Sequence, residues 1–131
     1  MVPLIEANIR LNRNFHTELT TKDVCALAYP WGTTPSNELL ESLNMVIMSD
    51  VVYDPVFYQP LVHSIEMLLM RPSTVCIMAH RHRHPEDHKF FALLEETGFQ
   101  ATQIPYQPSE ALRDACQDVK LLRIARVEVG R

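Results

Sequence analysis

The chain has 131 residues, of which 47% are hydrophobic and 21% are charged, a composition typical of one soluble globular unit with a modest core. Its net charge of −4 and its lack of any Lys/Arg run argue against a nucleic-acid surface, although a mildly acidic chain would suit a basic target protein. No apolar run approaches the roughly 20 residues of a membrane-spanning helix, and no signal peptide is recognisable, so cytoplasm or nucleus is the expected location.

The first quarter of the chain predicts one helix and one strand. Apolar residues from Leu4 to Leu11 recur in a polar segment, which favours an amphipathic helix running to about Asn14. The apolar residues 24–27 predict a strand that ends at Tyr29-Pro30-Trp31-Gly32, where proline and glycine break regular structure.

The remainder alternates between strand and helix patterns. The continuous apolar run at residues 45–48 is typical of a strand buried on both faces of a parallel sheet. Before this strand, residues 33–44 predict a loop with one helical turn. After it, the sequence predicts a helix from Pro55 or Pro60 to Arg71, a strand at 74–79, a helix at 85–98, and strands at 99–106 and 119–127. The polar segment at 109–117 is either a loop or a helix. This order predicts an α/β fold with right-handed crossovers.

The three cysteines predict no disulfide framework. Cys25, Cys76 and Cys116 are odd in number and widely spaced, in apolar or helical surroundings. They are therefore expected to be reduced thiols of an intracellular protein.

In a parallel sheet, ligands bind beyond the carboxyl ends of the strands, which directs attention to the residues after Met48 and after Ala79. The first position carries Ser49-Asp50-Val51-Val52-Tyr53, with a carboxylate at the strand tip and an aromatic hydroxyl three residues later. These groups could line one pocket and orient an amine. The alternative is structural, since an Asp after a strand is often a turn or helix-capping residue.

The second position carries a histidine-rich segment, residues 80–88. Zinc would require about four ligands in a tetrahedral shell, and nothing in this segment fixes that geometry or supplies a thiolate pair. No metal is therefore predicted. The favoured interpretation is a solvated strand end and loop, with Arg81 and Arg83 pairing with acidic groups at the mouth of the site.

The order of these motifs resembles the protein-lysine branch of the class I, seven-strand S-adenosylmethionine-dependent methyltransferases, which carry an Asp-x-x-Tyr motif. Residues 4–12, with Asn8 and Asn12, are similar to the helix after that family's second strand. Trp31-Gly32 resembles the Trp-Gly after the third strand, and residues 49–53 resemble the signature after the fourth. Residues 79–83 are similar to the segment that closes the fifth strand.

The resemblance implies a Rossmann-like α/β sheet, of which residues 1–131 would be the C-terminal portion of a single methyltransferase domain, without the first two strands. It implies S-adenosyl-L-methionine as methyl donor and a protein lysine as acceptor. Trp31 would pack against the donor's adenine and Ser49 would lie beside the donor. Asp50 and Tyr53 would be catalytic residues that face the substrate lysine.

The glycines mark the main departure from this family. The sequence contains only Gly32, Gly98 and Gly130, so no G-x-G motif exists to hold the donor's amino-acid end. In the family that turn, and the carboxylate for the donor's ribose, precede the position of Leu4. We therefore expect a truncated lysine methyltransferase whose binding of the donor alone is not tight.

A sheet without its first two strands should leave the strand at Met45 exposed at an edge, where unpaired backbone groups invite association. Self-association or a protein partner is expected to cover it. This supports a second hypothesis, a catalytically inactive methyltransferase-like module that binds a protein through this edge or the Trp31 surface.

Overall fold

The computed structural model describes residues 1–13 and 24–128, which form two compact units, Met1–Pro30 and Trp31–Arg131. The first unit contains helix α1 (Val2–Arg13), and the Arg13 guanidinium donates a hydrogen bond to the Val24 carbonyl at 2.9 Å. This confirms the amphipathic helix predicted near the N-terminus. Asn14, its expected end, lies outside the described residues.

The strand predicted at residues 24–27 is wrong. Residues 24–30 have no regular secondary structure, and both Val24 and Leu27 are exposed. A strand requires a neighbour that pairs with its backbone N–H and C=O groups, and none of the strands in the described ranges pairs with this segment. Apolar composition alone therefore did not make it a strand.

The second unit alternates helices and strands, as the sequence predicted from residue 45 onward. Its elements are α2 (Asn37–Ser42), β1 (Met45–Ser49), a 3-10 turn (Pro55–Phe57), α3 (Tyr58–Leu68), β2 (Val75–Arg81), α4 (Asp87–Glu96), β3 (Phe99–Ile104), a second 3-10 turn (Glu110–Leu112) and β4 (Val119–Arg126). The polar segment at 109–117 contains only the second 3-10 turn and no α-helix. None of the described helices is long and apolar enough to cross a membrane.

The four strands form one mixed sheet in the order β1-β2-β4-β3. β1 and β2 are parallel, with Met48 opposite Met78 and Ser49 opposite Ala79, and α3 lies between them in the chain. β4 is antiparallel to both of its neighbours. The predicted α/β class is therefore confirmed, and the carboxyl ends of β1 and β2 lie side by side.

Local sequence signals explain where the helices begin and end. Ser36 caps α2 by accepting a hydrogen bond from the Leu39 amide at 3.2 Å. Pro55 opens the 3-10 turn before α3, where its missing N–H costs no hydrogen bond. Gly98, at φ +83°, follows α4 and donates its amide to the Glu95 carbonyl at 2.9 Å, which turns the chain directly into β3.

The hydrophobic core lies between one face of the sheet and the helices α3 and α4. Its buried residues are Met48, Val52, Tyr58, Leu61, Val62, Ile65, Leu69, Cys76, Met78, Phe90, Leu94, Phe99, Leu122 and Ile124. Each large side chain buried here contributes about 1.5–3 kcal/mol relative to exposure. The carboxyl ends of β1 and β2 are therefore held in place by a well-packed core.

The other face of the sheet is open at β1. Met45 is 54% exposed and Ile47 is 75% exposed, whereas Met48 on the core face is buried. In the part of the chain that the structure describes, β1 pairs with β2 alone. The expectation of an edge strand is confirmed, and the expectation of a strand buried on both faces is wrong.

We propose that the exposed β1 edge pairs with a second copy of the chain, and Ile47→Lys is expected to reduce this association without destabilising the fold. A lysine at this exposed edge opposes pairing with another strand, and substitutions at such sites change the free energy of unfolding by only about 0.5 kcal/mol. Light scattering at increasing concentration measures the mass. Leu112→Lys, at another exposed apolar position, is the control. An unchanged mass in Ile47→Lys, or an equal drop in the control, would contradict association through β1.

Candidate functional site

Asp50 occupies a strained turn at the tip of β1. Its amide donates to the Ala79 carbonyl of β2 at 3.3 Å, and its φ is +57°. Among the described residues it is the only non-glycine residue with positive φ, a conformation that costs most L-residues about 1–2 kcal/mol and that Asp adopts more readily than most. The turn leaves the Asp50 side chain about half exposed beyond the sheet.

The structural alternative for Asp50 is correct in one part, because Asp50 lies in the turn after β1, and wrong in the other, because Asp50 does not cap a helix. The carboxylate that caps the following 3-10 turn belongs to Asp54, which accepts from the Val56 amide at 3.0 Å. Asp50 instead pairs with Arg83, whose Nε lies 2.8 Å from Asp50 Oδ1. Such an exposed pair stabilises the fold by only about 0.2–1 kcal/mol, so its main effect is to orient the carboxylate.

The Asp50–Arg83 pair lies in a small polar cavity beyond the tips of β1 and β2. The cavity has a volume of about 200 Å³ and is lined by Ser49, Asp50, Ala79, Arg81, Arg83 and Val119. Larger cavities exist elsewhere, including one of about 730 Å³ beside Tyr106. Position, and not size, distinguishes the small one, because ligands of parallel sheets bind beyond the strand tips.

The rings of Trp31, Tyr53 and Phe57 form an aromatic cluster. Tyr53 lies 6.3 Å from Trp31 and 5.8 Å from Phe57, and Trp31 and Phe57 are 6.1 Å apart, all measured between ring centroids. Trp31 is half-buried against the core, and the next residue is anchored by a 2.8 Å hydrogen bond from the Gly32 amide to Ser64. Such tilted and edge-to-face rings add about 0.5–1.5 kcal/mol per pair and form a firm wall.

The structure therefore places the four predicted site residues in two groups and does not bring all four into one cavity. Ser49 and Asp50 line the polar cavity, and Trp31 and Tyr53 belong to the aromatic cluster. Phe57 was not predicted as a member of this cluster. The sequence shows that Phe57 lies four residues after Tyr53, but this spacing alone does not predict contact between the two rings. The contact depends on the 3-10 turn at Pro55–Phe57.

Asp87, at the start of α4, is a buried carboxylate that the sequence did not single out. Its Oδ1 accepts a hydrogen bond from the Tyr58 hydroxyl at 2.9 Å, and its Oδ2 accepts one from the Arg83 amide at 3.0 Å. Burial alone would raise the pKa of Asp87, but these hydrogen bonds, with contributions from His84 and His80, hold the pKa below its ordinary value. Asp87 is therefore a carboxylate anion that fixes the loop carrying Arg83.

The same interactions affect the groups around Asp87. Burial and the hydrogen bond to Asp87 raise the pKa of Tyr58 to about 12, so its hydroxyl keeps its proton. His80 and His82 approach Asp87 Oδ2 at 3.6 Å and 3.4 Å. Burial lowers the pKa of His80 from 6.5, although Asp87 opposes that change.

The histidine-rich segment does not form a metal centre in the described ranges 1–13 and 24–128. No group of three or more His, Cys, Asp or Glu side chains is arranged there to hold a metal ion. His80 is buried, whereas the His82 side chain is 72% exposed, because β2 ends at Arg81 and the alternation stops there. Arg81 and Arg83 do lie at the mouth of the cavity, and Arg83 pairs with an acidic group as the sequence predicted.

The mixed α/β sheet carries a small charged cavity beyond the tips of its two parallel strands, which is the position where such sheets bind ligands. A model of the lysine methyltransferase family matches residues 1–97, about three quarters of the chain, and the chain belongs to this family. A search among curated proteins gave no match. The matched range includes all four predicted site residues, and the family implies a methyl donor of the S-adenosylmethionine type and suggests a protein substrate.

The strain at Asp50 is measurable by comparing Asp50→Gly with Asp50→Ala. Both variants lose the ion pair with Arg83, but only glycine adopts positive φ without steric cost. The glycine variant should therefore be the more stable by about 1 kcal/mol in urea unfolding. The matched pair Glu95→Gly and Glu95→Ala, at an exposed position within α4, should show the opposite order, because glycine is less favourable than alanine inside a helix. Equal stability of the two Asp50 variants would disprove the strain.

His80 should make the fold sensitive to mild acid. Because its pKa is lowered by folding, the unfolded chain binds more protons below pH 6.5, and the free energy of unfolding falls as the pH drops from 6.5 towards the folded-state pKa. His80→Gln should flatten this slope in urea titrations, whereas the exposed His63→Gln should not. A slope that His80→Gln leaves unchanged would show that another group is responsible.

Proposed function

We propose that this chain contributes the acceptor site of an S-adenosylmethionine-dependent protein-lysine methyltransferase. The single observation that carries the proposal is the strained turn at Asp50, which presents a half-exposed carboxylate at the tip of β1. No hydrogen bond within the described fold requires that carboxylate as a cap, and backbone strain of this kind clusters at functional sites. Tyr53 lies three residues further along the same loop.

The chemistry requires a neutral amine. A free lysine, with a pKa near 10.4, is almost fully protonated at pH 7, and its lone pair is unavailable until a proton leaves. Asp50 would accept an N–H hydrogen bond and aim the nitrogen, while the rings of Tyr53 and Phe57 would exclude water. The aromatic faces would also attract the positive charge of the substituted amine that forms.

The donor would supply an electrophilic methyl group on a sulfonium sulfur. Trp31 would pack against its adenine and Ser49 would lie beside it. The described glycines do not fit the donor's amino-acid end: Gly32 uses its amide on Ser64, and Gly98 ends α4. We infer that tight donor binding requires a glycine turn that these 131 residues do not contain.

The topology of the sheet also supports a methyltransferase fold. β1 and β2 are parallel with a helix between them, the arrangement expected of a Rossmann-like sheet. We propose that these four strands correspond to the C-terminal portion of a seven-strand methyltransferase sheet. An exposed β1 edge is consistent with a sheet that extends further on that side.

The function is tested by supplying the chain with lysine-containing proteins and with labelled S-adenosylmethionine at concentrations that saturate its weak binding, and by identifying methyl-lysine by mass spectrometry. Asp50→Asn and Tyr53→Ala should each lower the initial rate, Asp50→Asn by roughly 10²-fold, because misalignment of the nucleophile has effects of that size. Asp114→Asn removes an exposed carboxylate elsewhere and serves as the control. Full activity of Asp50→Asn would refute the assigned role of Asp50.

The second candidate is a catalytically inactive methyltransferase-like module that binds a protein. The exposure of Ile47 and Met45 at the β1 edge favours it. Such a module would transfer no methyl group even at saturating donor, and Asp50→Asn would leave its partner binding unchanged while Ile47→Lys would weaken it. The two candidates therefore differ in which substitution matters.

A further inference from the structure

The arginines beside Asp50 carry more charge than the described structure neutralises. Asp50 contributes one negative charge to the strand-tip cavity, and Arg81 and Arg83 contribute two positive charges. The whole chain carries −4, so this local excess does not follow from composition. It lies where the acceptor lysine of the proposed reaction would arrive.

The Arg83 guanidinium has N–H donors that the described part of the chain does not use. Its Nε pairs with Asp50 Oδ1, and its backbone amide is used by Asp87. The terminal nitrogens of the guanidinium have no hydrogen-bond partner in the ranges that the structure describes, and the side chain is 50% exposed. A guanidinium offers these N–H groups in a planar fork that matches a carboxylate.

Arg81 adds a charge that is held in place. One of its terminal nitrogens donates to the Ala115 carbonyl at 2.7 Å, which ties the segment before β4 to the cavity. Its Nε is buried and has no hydrogen-bond partner in the described part of the chain. The neutral carbonyl leaves the positive charge of Arg81 uncompensated, and an anion in the cavity would reduce that cost.

We propose that Arg83, supported by Arg81, binds an acidic side chain of the protein substrate close to the acceptor lysine. The inference rests on the proposed function and adds a substrate class, lysines in acidic sequences. In an extended peptide, side chains two residues apart lie on the same side about 7 Å from each other. An acidic residue two positions from the lysine would reach Arg83 while the lysine amine lies at Asp50.

The test measures binding and needs no methyl transfer. Fluorescence anisotropy compares lysine peptides that carry Glu or Gln two positions from the lysine on either side. Wild-type chain should bind one of the two Glu peptides about fivefold more tightly than its Gln counterpart, as expected for a charge-assisted contact at a partly exposed site. The preference should decrease as salt is raised.

Arg83→Gln should abolish this preference, and Arg123→Gln should retain it. Arg123 lies on the same face of the sheet as Arg81, about 13 Å from Val119 along β4, so its removal changes the net charge equally. Equal affinity of wild-type chain for Glu and Gln peptides would overturn the inference. An equal loss in Arg123→Gln would also overturn it, because the effect would then be general charge attraction.

S-adenosylmethionine also contains a carboxylate, and titration of the donor into wild-type and Arg83→Gln chains separates the two sources. Weaker donor binding by Arg83→Gln with an intact peptide preference would assign the carboxylate to the donor and overturn the inference. Peptide preference without any methyl transfer at saturating donor would support the docking site and contradict the proposed function. Methyl transfer with equal affinities for the Glu and Gln peptides would support the proposed function and contradict the docking site.

Discussion

The carboxylate of Asp87 connects the core to the strand-tip site. It is 1% exposed, and it holds the Tyr58 hydroxyl of α3 and the Arg83 amide of the loop after β2. A buried carboxylate without such partners would cost several kcal/mol, so this arrangement is strongly specified. Arg83, fixed at its backbone by Asp87, directs its side chain to Asp50. Helices α3 and α4 and the loop after β2 thus meet at one buried anion, and the Arg83 side chain extends this connection to the tip of β1.

The buried hydrophobic core and the exposed turn at Asp50 differ in their physical properties. The core beneath the strand tips is apolar, and burial raises the pKa of the Cys76 thiol to about 12, which leaves that group protonated and unreactive. The Asp50 turn and the rings of Tyr53 and Phe57 are exposed above it. Exposed residues contribute little to folding, so the positive φ at Asp50 is more readily explained by function than by stability.

Sequence patterns predicted the elements from β1 onward because their spacing reflects burial. Leu61 and Ile65 lie four residues apart in α3, the spacing of one helix face, and both are buried. The failure at residues 24–27 has the opposite cause: the pattern was apolar, but strand formation depends on a partner elsewhere in the chain. Antiparallel insertion of β4 between β2 and β3 likewise depends on long-range pairing that no local pattern encodes.

The site was predictable where a single residue carried the signal and not where partners were needed. Asp50 and Tyr53 could be chosen from their position after an apolar strand, and the resemblance to methyltransferases gave them roles. The pairing of Asp50 with Arg83, 33 residues later, required knowledge of which strand tips are neighbours. Asp87 had the local appearance of an ordinary acidic residue in a first helical turn, and only burial revealed its function.

Amide hydrogen exchange tests whether Asp87 fixes the loop that presents Arg83 to Asp50. In wild-type protein, the Arg83 amide should exchange slowly although its side chain is exposed, because it donates to a buried carboxylate. In Asp87→Ala, that amide should lose its protection while the Met78 amide in the centre of β2 keeps most of its own. An Arg83 amide that remains as protected as Met78 in the variant would show that Asp87 does not fix this loop.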